Sequence, residues 1–167
     1  MDIQKILGNK INNLDEVAES ITEDTQLELL FDGLTSKDNN YRYNCFLLLE
    51  KITSKKVSWI YDKWDFLAGL LDSLNSYHRN IGLVLLANLS YSDTENRVES
   101  IIDKYLSHFN DEKFITARQC IQNVWKIAVN KPALKDKIVN YLKRFNYGGQ
   151  HSNLIELDIQ NALKKIR

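Results

Sequence analysis

Apolar residues return along this chain in blocks with helical spacing, and three of the blocks open on an arginine. Cys45, Leu48, Leu49 and Ile52 follow Arg42; Gly82, Leu85, Leu86 and Leu89 follow Arg79; Ile121, Val124, Trp125 and Ala128 follow Arg118. The arginines are 37 and 39 residues apart, and a further step of 38 lands on Glu156, ahead of Ile159, Ala162, Leu163 and Ile166. The shared offsets of 3, 6, 7 and 10 place each set on one helical face. Four copies of one frame at a fixed period predict stacked helical repeats, each a helix A followed by a helix B.

Cap and turn residues divide the chain further. Thr25-Gln26-Leu27-Glu28 fits a capping box and opens the first A helix, whose B helix covers about 38–52. The second pair spans about 57–74, on the 3-4 spacing of Val57, Ile60, Tyr61, Trp64, Leu67 and Leu71, and about 76–89. Ser92-Asp93-Thr94-Glu95, another capping box, opens a third A helix that ends near Phe109, with its B helix at about 111–129. Pro132 suits the first turn of the fourth A helix, Gly148-Gly149 stops it, and the last B helix covers about 152–166. Residues 1–24 fall outside the frame, but Ile3, Leu7, Ile11, Leu14, Val17 and Ile21 still form a stripe, as expected of a cap. The expectation is one all-α domain over 1–167: a cap at 1–24, then repeats at about 25–55, 56–91, 92–130 and 131–167.

Composition agrees with such a fold. One proline and six glycines in 167 residues suit helices joined by short turns. The 22 basic and 22 acidic side chains cancel, which argues against a general nucleic-acid binder. They are unevenly placed: residues 1–101 carry 10 basic and 16 acidic groups, residues 102–167 carry 12 and 6. An acidic early part and a basic late part make self-association through opposite surfaces conceivable. Cys45 and Cys120 lie in non-adjacent repeats, beyond the roughly 7 Å reach of a disulfide, and read as buried thiols. With no secretory leader and no membrane span in the sequence, a cytoplasmic location is expected.

The B helices resemble HEAT repeats. Asp38-Asn39-Asn40-Tyr41-Arg42 is similar to that family's aspartate, apolar-arginine entry into a B helix, and Asn75-Ser76-Tyr77-His78-Arg79 matches with asparagine for aspartate. Asp111 stands seven residues before Arg118, a departure from the spacing, and the fourth unit lacks the arginine. Leu85-Leu86-Ala87-Asn88-Leu89-Ser90 and Asn123-Val124-Trp125-Lys126-Ile127-Ala128 resemble armadillo repeats. The resemblance covers about 25–167 and implies a right-handed α-α superhelix of about four helix pairs. It also implies a structural role for the arginines, pairing with an aspartate or turn carbonyls of a neighbouring unit.

Positions 1, 5 and 8 after the frame residue lie opposite the buried face and should line the concave side. They read Tyr43, Asn80, Gln119 and Leu157; Leu47, Val84, Asn123 and Asn161; Glu50, Ala87, Lys126 and Lys164. The early part is apolar and the later part is amide-rich and basic. Amides pair with a peptide backbone as donor and acceptor at once, so Asn123, Asn161, Lys126 and Lys164, assisted by Gln119 and Gln122, could hold an acidic extended segment. Tyr43, Leu47 and Val84 form the apolar end, unless the N-terminal helix or the curvature covers Leu47 and Val84.

The sequence carries no nucleotide loop, zinc motif or nucleophile motif, and no cofactor is expected. His78, His108 and His151 fall near A–B turns, too far apart to share a zinc ion. The HEAT-like superfamily includes base-excising enzymes, which need stacking aromatics and a carboxylate in the groove. Trp125 lies on the buried face, Trp59 shares an A-helix face with Phe66 and Leu70, and Asp158 is the nearest carboxylate. A non-catalytic adaptor that binds a protein or peptide is therefore the expectation. The competing reading is a nucleic-acid-binding or glycosylase-like protein that uses the basic C-terminal third.

Overall fold

A computed structural model describes residues 3–55, 58 and 60–167. The described residues are all-helical, with no strand and with ten α-helices. The chain divides into two compact units, 1–57 and 58–167.

The first unit holds α1 (Ile3–Leu7), α2 (Leu14–Ser20), α3 (Asp24–Gly33) and α4 (Asn39–Ser54). Asp38 caps α4 by accepting from the Asn40 and Tyr41 amides, and Cys45, Leu48, Leu49 and Ile52 are buried as the frame requires. The predicted capping box at the first A helix is displaced. Glu23 and Gln26 make it, and α3 starts at Asp24. Gly33 is needed for close approach, because a Cβ there would run into the Cys45 sulfur and the Tyr41 ring. The cap residues pack on α4. Asn44 Nδ2 donates to Leu7 O and Asn9 O, both at 2.8 Å, and Lys51 and Lys55 pair with Asp15 and Glu19.

The second unit holds α5 (Trp64–Leu70), α6 (Ser76–Leu89), α7 (Arg97–Ser107), α8 (Phe114–Asn130), α9 (Pro132–Arg144) and α10 (Ser152–Ile166). α8 is its centre, packed against α6 and α10 on either side and against α7 and α9. Each fully buried leucine or isoleucine contributes roughly 1.5–3 kcal/mol, and α6 is buried at every position from Ile81 to Leu89. Gly82 lets α6 approach α5, since a Cβ would meet Leu67 O at 3.0 Å.

Three expectations shift in this unit. The second A helix is short: a single 3-10 turn at Tyr61–Lys63 leads into α5, while Val57 and Trp59 lie outside the described residues. The third A helix starts at Arg97, not Ser92. Asn96 enters it in the left-handed region (φ 57°), and Asp93 reaches forward to accept from the Arg97 and Val98 amides. Asparagine tolerates that conformation better than most residues. The fourth A helix ends at Arg144, four residues before Gly148, with Phe145 extended and its amide bonded to Tyr141 O. Pro132 does occupy the first turn of α9, and α10 has the predicted span.

Candidate functional site

The frame arginines are structural links. Arg79 grips Asp111 with two bonds of 2.7 Å, from Nε and Nη2, and Nη1 donates to Ser73 O. Arg118 does the same to Asp158, at 2.6 and 3.0 Å. Asp111, misplaced as a partner for its own helix, thus serves the arginine of the preceding one. Asp158 fills that role from α10. Arg42 donates within its own turn, to Ser36 O and Asn39 Oδ1, both at 2.7 Å. Burial would raise the Asp111 carboxyl, but Arg79, the Lys113 amide and His108 together hold it below its ordinary value. The bond to Asp158 raises Arg118 in turn.

The second anchor is Asp93, 2% exposed. It accepts from the Tyr61 hydroxyl at 2.6 Å and lies 3.0 Å from Lys131 Nζ, which also donates to Asp93 O. Three segments therefore meet on one carboxylate. Burial pushes it up, and the Tyr61, Val98, Lys131 and Arg97 bonds bring it below the ordinary value.

Three of the expected groove residues, Gln119, Asn123 and Lys126, bind one another. Asn123 donates to Gln119 O, and Lys126 Nζ donates to Asn88 Oδ1 at 2.6 Å and Asn123 Oδ1 at 2.7 Å. Gln122 donates to Asp158 at 2.9 Å. These bonds tie α6 to α8 and α8 to α10, which explains why polar groups survive on faces packed this closely. Asn88 and Asn130, which bonds Ser90 Oγ, belong to the same network. They were missed because offset counting from one arginine does not mark the facing helix.

Val84 is corrected: it is 1% exposed and belongs to the core, because α8 packs on α6. Tyr43 and Leu47 instead line a cleft of about 620 Å³ in the first unit, walled by Ile11, Leu14 and the Gly8–Lys10 segment. Trp125 is only half-buried, with Lys165 Nζ 5.0 Å from its ring centre. What stays open is one face of α10: Leu157, 50% exposed, Asn161 and Lys164. Spacings of four and three residues put these on one stripe. Asn161 and Lys164 make no side-chain bond among the described residues, so an amide and a cation stand ready beside an apolar side chain.

The histidines are separately engaged. His78 Nδ1 lies 3.1 Å from Ser73 Oγ, His108 Nδ1 lies 3.0 Å from Asp111 Oδ2, and His151 stacks obliquely on Phe114. Among the described residues no cluster of three metal-binding side chains occurs, and no helix is long and apolar enough to cross a membrane.

No family model matches the chain, and no curated protein matches it. Two crystal structures of engineered proteins from the Northeast Structural Genomics Consortium are similar in fold, each with a TM-score of 0.63. The first is 21% identical over 91% of this chain and 66% of its own. The second is 20% identical over 96% of this chain and 41% of its own. The chain thus spans no more than about two thirds of either protein, and the likeness is one of helical fold.

Proposed function

We propose that the chain is a right-handed HEAT/armadillo-like α-solenoid of about four helix pairs with an N-terminal cap, and that it works as a non-catalytic adaptor for a protein or peptide partner. The repeated arginine frame, with Arg79 and Arg118 each reaching the aspartate of the next unit, supports the repeat architecture. The binding reading rests on the α10 stripe of Leu157, Asn161 and Lys164. It offers an apolar contact, an amide for a peptide backbone and a cation for a carboxylate. Gln122 acts behind it, tying α8 to α10, while Gln119, Asn123 and Lys126 brace α8 and tie it to α6. The partner is an acidic extended segment, and two buried free thiols favour a cytoplasmic setting.

The basic character of residues 102–167 favours a second reading, nucleic-acid binding or base excision. Against it, Asp158 is 5% exposed and held by Arg118 and Gln122, so it has no free carboxylate oxygen to offer a substrate. Affinity for a captured partner decides between them. Leu157→Glu with Lys164→Glu should abolish adaptor binding without unfolding the protein. Duplex binding that weakens steeply with salt, in the wild type, would favour the second reading.

A further inference from the structure

A second unpaired polar cluster lies at the C-terminal end of α9. It lines a cleft of about 660 Å³ between the turn that follows α7 and the last two turns of α9. That volume falls within the range of ordinary ligand sites. Asn110 comes from the turn, Asn140 and Arg144 from successive turns of one α9 face, and Asn146 from the extended segment beyond. None of these four side chains makes a hydrogen bond or ion pair among the described residues. Lys137, at the rim, is already paired with Asp103 at 2.7 Å.

The floor is aromatic and rigid. The Tyr141 and Phe145 rings are nearly parallel, at 12° and 6.4 Å between centres. Both stand edge-on to Phe109, at 5.1 and 5.3 Å, and Phe109 is fully buried. An apolar side chain can rest on such a surface. The free carbonyls of the last α9 turn carry a partial negative charge equivalent to about half a unit. Arg144, a full charge in that turn and on the cleft wall, outweighs it.

We propose that this cleft binds a short acidic peptide segment. One carboxylate pairs with the Arg144 guanidinium, and the Asn110, Asn140 and Asn146 amides bridge the peptide's N–H and C=O groups. An apolar side chain of the segment covers Tyr141 and Phe145. Three amides with both donor and acceptor match a peptide backbone better than a simple oxyanion, which offers acceptors alone. A single unpaired guanidinium is too little charge for a polyanion. The site is on α9, apart from the α10 stripe, and stands whether or not that stripe binds anything.

The test is a nitrogen-15 NMR titration of the full chain with a blocked glutamate-leucine-glutamate tripeptide at millimolar concentration. The glutamine-leucine-glutamine analogue and inorganic phosphate serve as comparisons. The Asn110, Asn140 and Asn146 side-chain amides and the Arg144 Nε should shift saturably with the acidic peptide. Arg144→Gln should weaken that binding about tenfold, the loss of one charge-assisted pair, with an unchanged unfolding midpoint. Unmoved resonances, shifts confined to α10, equal binding of the glutamine peptide, or phosphate binding as tight as the peptide would each overturn the proposal. Binding insensitive to Arg144→Gln would overturn it too.

Discussion

Arg79 on α6 and Asp111 before α8 form a two-point ion pair, 2.7 Å at each contact, with side chains only 9% and 4% exposed. Removing one partner of such a pair leaves the other charge buried, which costs about 3–5 kcal/mol. Arg79→Ala should therefore lower unfolding free energy by about that amount in a denaturant titration. Arg118→Ala should cost less, about 1–3 kcal/mol, because Arg118 is 27% exposed and water can replace part of the contact.

Acid should loosen the second unit early. Asp93 and Asp111 both titrate below their ordinary value of 3.8 when folded. The unfolded chain then takes up protons at a higher pH than the folded one, so stability fully present above 3.8 is lost as pH falls from there through the lower folded values. Unfolding free energy measured from pH 6 down to about pH 3 should fall, and Asp93→Asn should flatten the decline.

The thiols should be silent until the protein opens. Cys45 and Cys120 are buried, and burial pushes the Cys45 thiol up to about 12 and raises Cys120 well above its ordinary value. A thiol that stays protonated is a poor nucleophile. Labelling by a disulfide reagent at pH 8 should follow the unfolding rate, with two equivalents reacting after denaturation.

Val84 and Leu157 are members of the same predicted stripe with opposite fates. Val84→Asn should cost about 2–4 kcal/mol, by burying an amide without partners. Leu157→Asn should stay within about 0.5 kcal/mol of wild type in the same denaturant titration.

That contrast shows what the sequence carries and what it does not. The buried face of each B helix is legible because its apolar residues repeat at 3, 6, 7 and 10, and Cys45, Leu85 and Val124 all fall in the core. α6 and α10 match their predicted spans because Asn75 caps α6 by accepting from the Tyr77 amide and a glycine pair precedes α10. The opposite face is not legible from one helix. Val84 is covered and Leu157 is open because α6 has α8 against it, whereas α10 has no following helix among the described residues. Periodicity records which side of a helix is apolar, but not which neighbour lies on the other side. The late start of α7 was hidden for a similar reason. Asp93 caps it from four residues away through a left-handed Asn96, a geometry that the local capping-box pattern does not encode.

Site-specific photo-crosslinking tests the adaptor reading most directly. A benzoylphenylalanine at position 161 on α10, incubated with nuclease-treated lysate, should form a discrete protein adduct. The same group at exposed position 94, in the segment before α7, should not, and Lys164→Glu should erase the adduct at 161. No adduct at 161, equal adducts at 161 and 94, or an adduct that forms only in lysate without nuclease would contradict the α10 face as a protein-docking surface.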